Sequence, residues 1–240
     1  MAADDLSKGS AVTKVISGED QDALLDAAEA VRRGAVVLTP SDTNYGILCS
    51  PFRRDVVERI YAAKKRDANK PLSLFLGNTV DWERWGKSGQ NSEMISRALD
   101  ELWPGPFNII VHRRPTVPEW VTKGMGTVAM LHNRCAPLNL LVLYSGMPLA
   151  ASSANISGTV SEGLVDFEMA LEHVGSHADI AIQPVGEPDT TCSSTIVDAS
   201  GDVPRLLRLG DIGGEVLTRL FPGIDLGEGP EAPRPEKARV

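Results

Sequence analysis

The stretch Pro148-Leu149-Ala150-Ala151-Ser152-Ser153-Ala154-Asn155-Ile156-Ser157-Gly158 decides how this chain is read, because a short apolar run passes directly into hydroxyl, amide and glycine residues. A run of that length is consistent with a buried strand. The serines, asparagine and glycine behind it bring donors, acceptors and close backbone approach to the strand's end. By itself the segment is explained as well by a polar turn as by a ligand site.

Working outward, helical and strand patterns alternate on both sides. Gln21 to Arg33 places Leu24, Leu25, Ala28 and Val31 on one helical face, with Gly34 as the stop. Ala35 to Thr39 follows as a strand. A helix from about Val56 to Lys65 precedes the strand Leu72 to Leu76, and a helix from Ser92 to Trp103 precedes Phe107 to Val111, with Pro104-Gly105-Pro106 as the break between them. Further on, the pattern predicts strand Thr127 to Leu131, helix Leu138 to Tyr144, strand Pro148 to Ala151, helix Asp166 to Val174 and strand Ile180 to Ile182. Two strands close together, Ser194 to Asp198 and Arg205 to Leu209, then lead to helix Gly214 to Leu220. Interleaving of this kind specifies an α/β fold, and the adjacent late strands argue for a mixed sheet rather than an all-parallel one. One domain is expected over residues 14–222, between tails at 1–13 and 223–240 that are too poor in apolar groups to offset the entropy of ordering them.

Composition narrows the function. Of 240 residues, 42% are hydrophobic and 23% charged, which is ordinary globular usage. No apolar run approaches the ~18 residues of a membrane span. Met1-Ala2-Ala3-Asp4-Asp5 lacks the basic-then-apolar order of a signal peptide, so a cytoplasmic protein is expected. Cys49, Cys135 and Cys192 are odd in number and far apart, which suggests neither a disulfide framework nor a thiolate zinc site. A net charge of −8 argues against a surface given over to a polyanion, while leaving room for a local basic pocket.

Four segments carry chemistry. In Lys64-Lys65-Arg66-Asp67-Ala68-Asn69-Lys70-Pro71 several cations fall where a helix gives way to an extended X-Pro segment. The helix dipole accounts for part of this, at roughly 0.3–1 kcal/mol per cation. An apolar strand follows at once, a boundary where α/β proteins place ligand groups, which makes Lys64 and Arg66 candidates for phosphate or carboxylate contacts. Thr39-Pro40-Ser41-Asp42-Thr43-Asn44-Tyr45-Gly46-Ile47 sets hydroxyls, a carboxylate and a phenol between two apolar strands, a pattern that also suits a hairpin loop. Ser193-Ser194-Thr195-Ile196-Val197-Asp198 and Leu206-Leu207-Arg208-Leu209-Gly210 add hydroxyls at a strand start and an arginine flanked by leucines. His173 and His177 are spaced i, i+4 but lack an accompanying Glu or Cys pattern for zinc. Trp85-Gly86-Lys87-Ser88 ends like a Walker A loop, yet Asp81 stands where that loop needs glycine.

Taken together and in order, these segments resemble the YrdC-like family, whose best-known members are threonylcarbamoyladenylate synthases. The resemblance spans most of residues 35–213. The family's T-D-T-x-Y-G-L is similar to Ser41 to Ile47, its K-x-R and K-P-L to Lys64-Lys65-Arg66 and Lys70-Pro71-Leu72, and its W-P-G-P to Trp103 to Pro106. S-A-N-x-S-G is matched at Ser153 to Gly158, S-T-x-V-D at Ser194 to Asp198, and L-R-x-G at Leu207 to Gly210. The resemblance implies a single twisted mixed-sheet domain with a concave ligand groove. It also implies a reaction in which L-threonine, bicarbonate and ATP, the last with Mg²⁺, give threonylcarbamoyl-AMP and pyrophosphate for a tRNA adenosine modification. On that basis Lys64 and Arg66 would hold carboxylate or phosphates as the catalytic cations. Thr43 and Tyr45 would shape the threonine side, with Ser194 on its carboxylate, while Ser153, Asn155 and Arg208 would contact the nucleotide. No protein metal site is expected. The implied partners are the small-molecule substrates and other tRNA-modification enzymes, with direct RNA binding left open. Some relatives carry a further C-terminal domain, which this chain is expected to lack.

One departure stands out. The family strand T-V-G-V-R-x-P corresponds to Thr127-Val128-Ala129-Met130-Leu131-His132-Asn133, so Leu131 occupies the arginine position and Asn133 the proline position. Arg134 is three residues further on, about 10 Å along a strand and on the reversed face, so it would substitute only where the strand has already ended. Asn44 also replaces an aliphatic residue, and Ser41 a threonine. These differences keep two alternatives in view: a related enzyme acting on another amine, and a nucleotide- or RNA-binding module without catalysis.

Overall fold

The computed structural model describes residues 13–65, 70–158, 164–186 and 190–227. In chain order the elements are β1 (Lys14–Ile16), α1 (Gln21–Arg33), β2 (Val37–Thr39), β3 (Gly46–Cys49), α2 (Arg54–Ala63), β4 (Ser73–Phe75), α3 (Trp82–Trp85), β5 (Gly86–Lys87), α4 (Ser92–Leu102), β6 (Phe107–Arg113), α5 (Glu119–Thr122), β7 (Thr127–Leu131), α6 (Ala136–Ser145), β8 (Leu149–Ser153), α7 (Phe167–Val174), β9 (Ile180–Ile182), β10 (Thr195–Asp198), β11 (Arg205–Arg208) and α8 (Gly214–Leu220). The strands join in one mixed sheet, ordered β1-β9-β2-β3-β8-β4-β7-β6-β10-β11, with β5 pairing outside that path on β6. Parallel pairs (β1 with β9, β9 with β2, β4 with β7, β6 with β10) are interspersed among antiparallel ones. This is the mixed sheet that the sequence pattern predicts.

Local chemistry sets the boundaries. Asp20 caps α1 by accepting from the Ala23 N–H at 3.0 Å, and Gly34 ends the helix at φ 106°, a left-handed conformation that suits glycine. The inward face of α1 is Leu24, Ala27, Ala28 and Val31, whereas Leu25 points to solvent. Helical geometry therefore prefers the i, i+3, i+4, i+7 set to the larger side chain. Helix α6, apolar on nearly every side, packs against α1, and its buried Leu138, Leu141 and Val142 join the central core.

Past α8 the chain stays attached. Asp225 bridges to Arg205, the Leu206 N–H donates to the Asp225 carbonyl at 2.8 Å, and the Asp225 N–H donates to Pro204 at 2.8 Å. The docked chain thus extends beyond the boundary expected at residue 222. No described helix is long and apolar enough to cross a membrane.

Candidate functional site

Strand β3 starts, and β8 ends, at the same end of the sheet, because their antiparallel register pairs Gly46 with Ser153. There the loop entering β3, the end of β8, the start of β10 and the end of β11 surround a groove of about 330 Å³. Thr43, Tyr45, Ser153, Asn155, Ser194 and Arg208 all line it. Six candidates drawn from four separate stretches of sequence are thereby brought to one cavity.

The wall formed by residues 153–157 is held from behind. Helix α2 ends at Ala63, and Lys64 turns its side chain beneath the end of β8, where Nζ donates to the backbone carbonyls of Ser153 and Asn155 and lies 3.5 Å from Asn155 Oδ1. The Lys64 carbonyl in turn accepts from the Ser157 N–H at 3.0 Å. Lys64 is 1% exposed and is not among the lining residues, so it supports the groove rather than facing it. Arg66 lies outside the described residues.

The opposite wall is held by Arg208. Its Nε donates to the Ser194 carbonyl at 2.8 Å and Nη2 donates to Ser194 Oγ at 3.1 Å. Gly210 lets the two strands meet: a Cβ there would lie 2.4 Å from the Ser193 carbonyl oxygen and 2.7 Å from the Thr195 nitrogen. The Gly210 N–H donates to Thr195 Oγ1 at 2.9 Å, which fixes this approach.

The third side is the 41–45 loop. Ser41 Oγ donates to the Asn44 carbonyl at 2.6 Å and accepts from the Thr43 N–H at 3.2 Å, making a tight turn. Asn44 ties three segments together, donating through Nδ2 to Ser193 Oγ at 2.9 Å and accepting through Oδ1 from the Val165 N–H at 2.8 Å. Tyr45 lines the groove, but its hydroxyl donates to the Ile182 carbonyl at 3.0 Å and its ring lies 5.5 Å from that of Phe167. Burial pushes that phenol well above the usual tyrosine range, so it stays protonated.

The departure at residues 131–134 has a structural answer. The strand ends at Leu131, and Asn133, 2% exposed, fills the proline position by accepting from the Asp42 N–H at 2.9 Å and the Cys135 N–H at 3.1 Å through Oδ1. Asp42 reciprocates, its carboxylate accepting from the Arg134 and Cys135 N–H groups at 2.8 and 2.9 Å. Burial nevertheless raises the Asp42 pKa against the pull of those two donors, and it raises the Cys135 thiol to about 11. Arg134 borders a second cavity, which shares Ser41, Thr43, Tyr45 and Val165 with the groove, and is not itself among the residues lining the groove. The arginine position is therefore filled by Leu131, 6% exposed on the groove floor.

The sequence reading missed Asn108, Ser73 and Phe75, and gave no role to Ser193 within its hydroxyl-bearing segment; all four also line the groove. Asn108 carried a signal: it is the lone polar residue in Phe107-Asn108-Ile109-Ile110-Val111, and strand alternation turns it to the face opposite Phe107, Ile109 and Val111. Among the described residues, no three His, Cys, Asp or Glu side chains gather where a metal ion would bind.

Residues 29–210 match the Sua5/YciO/YrdC family, described as telomere recombination. A putative threonylcarbamoyl-AMP synthase of Mycobacterium tuberculosis is 31% identical over 84% of this chain and 90% of its own length. The threonylcarbamoyl-AMP synthase of Bacillus subtilis is also 31% identical, over 91% of this chain but 62% of its own length. Among solved structures, Pyrococcus abyssi Sua5 complexed with L-threonine superimposes with a TM-score of 0.79 at 27% identity, covering 89% of this chain and 61% of that one. Escherichia coli YciO shares the fold, with a TM-score of 0.72 at 18% identity over 87% of this chain and 97% of its own.

Proposed function

Since the chain belongs to the Sua5/YciO/YrdC family, we propose that it is a threonylcarbamoyl-AMP synthase, an enzyme that joins L-threonine, bicarbonate and ATP and releases pyrophosphate. The observation that carries this reading is the convergence of Thr43, Ser153, Asn155, Ser194 and Arg208 on one groove at the end of the sheet. In the reaction, the threonine amine adds to bicarbonate with loss of water to give a carbamate. A carbamate oxygen then attacks the α-phosphorus of ATP, and the bond from that phosphorus to the bridging oxygen breaks to release pyrophosphate.

Each species in this sequence is anionic, so the site must gather negative charge and meet more of it on the leaving group. Fixed donors do this without reorganising during the reaction. Ser153 and Asn155, held by Lys64, form the wall for the triphosphate, and the Lys64 ammonium adds a positive potential just behind it. Arg208, with two of its five N–H donors engaged by Ser194, retains others for the nucleotide. Thr43 and Ser194 face the amino acid, and Arg66 would supply a second cation. The described lining residues contribute hydroxyls, amides and one guanidinium but no carboxylate, which suits Mg²⁺ arriving on the phosphates of ATP. The product is an activated acyl-adenylate, so an enzyme that transfers the threonylcarbamoyl group to a tRNA adenosine, with AMP as the leaving group, would consume it.

The test is pyrophosphate release from ATP by the purified chain with bicarbonate, comparing L-threonine, other amino acids and none, alongside Arg208→Ala. Threonine-dependent release that Arg208→Ala diminishes supports the reading. Release dependent on another amine would overturn the substrate assignment, and no release with any amine would overturn the activity.

A further inference from the structure

Across four neighbouring strands the groove floor carries one row of side chains. Phe75 on β4 pairs with Leu131 on β7, and Asn108 on β6 pairs with Ile196 on β10. Extending the β6–β7 register one step from Ile109 and Met130 sets Asn108 opposite Leu131. The row therefore reads Phe75, Leu131, Asn108, Ile196, and all four face the groove. Asn108 is 8% exposed, and its Oδ1 is buried with no hydrogen-bond partner among the described residues. A buried amide oxygen is kept unpaired only at a cost in stability, which makes it a candidate ligand contact.

The surroundings limit what that ligand group is. Three apolar side chains offer no charge or donor to a carboxylate, a carbamate or a phosphate, and the Leu131 side chain stands where the family arginine would have drawn one. The groups suited to anions are on the walls. The floor instead fits an uncharged group combining apolar surface with a hydrogen-bonding atom. A hydroxyl suits either orientation of the amide, since it both donates and accepts.

We propose that Asn108 receives the β-hydroxyl of the amino-acid substrate, with Phe75, Leu131 and Ile196 packing against its methyl group, so that the row is the side-chain specificity subsite. The inference rests on the threonine reading above, because threonine carries a methyl and a hydroxyl on one carbon.

L-Valine, which replaces that hydroxyl with a methyl, is the informative probe. Pyrophosphate release would be measured with threonine and valine for the wild-type chain, Asn108→Leu and Asn108→Thr, together with the melting temperature of each and the KM for ATP. The wild type is expected to prefer threonine by roughly 100-fold or more, as sites that pair a substrate hydroxyl do. Asn108→Leu is expected to narrow that ratio at least ~10-fold, to leave the KM for ATP unchanged and to melt higher, because it removes a buried unpaired amide. Asn108→Thr, which keeps a hydroxyl in the row, should retain part of the preference. An Asn108→Leu protein that melts lower and keeps the wild-type ratio would overturn the proposal in favour of a structural amide. A raised KM for ATP with the ratio intact would overturn it in favour of a nucleoside contact. Failure of the wild type to use threonine would overturn the functional reading itself, and this subsite with it, whereas a threonine-active enzyme whose ratio ignores Asn108 loses only the subsite.

Discussion

Lys64 and Arg208 support opposite walls of the groove, and they are used in opposite ways. Lys64 is 1% exposed and gives its ammonium to two carbonyls of the 153–157 wall. Arg208 sits on the exposed end of β11 and gives part of its guanidinium to Ser194. Both clamp a strand end, but removing the buried clamp strands polar groups that water cannot reach, whereas water can replace the exposed one. The difference separates a wall that is part of the fold from a wall that is part of the binding surface.

The strongest test of this contrast is Lys64→Met, which keeps most of the stem and removes the charge. The buried Asn155 carbonyl and the half-buried Ser153 carbonyl lose a charged donor, so the expected cost is about 3 kcal/mol. In a chain of this size that lowers the melting temperature by roughly 6–12 °C, and loss of a placed donor wall should cut pyrophosphate release at least ~100-fold. Wild-type melting in this variant would break the comparison, since Lys64 would then not be holding the wall.

Arg208→Ala should do the reverse. Stability should change by no more than about 0.5 kcal/mol, as for other exposed positions. Nucleotide affinity measured by calorimetry should fall about 10-fold, because a charged multidentate donor is lost. Arg208→Lys should restore little of it, since an ammonium cannot reproduce the fork that spans Ser194 and a ligand. An Arg208→Ala protein that melts far lower with unchanged affinity would make the two walls equivalent.

The same contrast explains what was legible in the sequence. Ser153, Asn155, Ser194 and Arg208 stand out because hydroxyls, amides and an arginine interrupt apolar runs, and interruption at a strand end is visible in one dimension. The burial of Lys64 is not. A lysine after a helix's last turn suits solvent and the helix dipole, and only the topology, which lays the end of β8 over the end of α2, gives it two carbonyls to satisfy. The three residues of β1 were likewise unreadable, because they form a strand by pairing with β9, far away in the chain. Leu25 was misread for the opposite reason: its hydrophobicity is evident, but its position on α1 outweighs it. The floor lies between these cases, since alternation marks Asn108 as turned away from its apolar neighbours, while the strands that complete its row come from three distant segments.

A smaller effect is expected where the 41–45 loop meets the start of α6. Asn133 and Asp42 exchange hydrogen bonds with backbone N–H groups on each other's segment, and Thr43 beside them lines the groove. Asn133→Ala should cost about 1–2 kcal/mol by leaving the Asp42 N–H unpaired, while the Cys135 N–H keeps the Asp42 carboxylate as its acceptor. The loop that carries Thr43 should loosen, raising the KM for the amino acid while leaving the KM for ATP as it was. An equal rise in both would show that the loop serves the whole groove and not its amino-acid side, which would sharpen the division between walls.

His132 gives the smallest effect and separates stability from binding by pH. Its Nδ1 lies 3.0 Å from the Leu76 carbonyl, an acceptor, so that nitrogen carries the proton of a neutral ring. Burial holds the His132 pKa below its ordinary 6.5, outweighing the Leu76 hydrogen bond and the nearby Asp42 carboxylate, both of which pull it upward. The folded chain therefore binds a proton at this ring less readily than the unfolded chain. The contribution to stability is present above about pH 6.5 and is lost as the pH falls below it. Because the ring is only half-buried, this effect is the smallest of the four. Urea unfolding at about pH 7.5 and about pH 5 should show the wild type losing more stability than His132→Gln between the two. His132 is not among the groove's lining residues, so relative affinities for ATP and amino acid should not follow this titration. If they do, the strand end at Leu131 transmits charge to the floor, and the separation between fold and binding surface fails at that point.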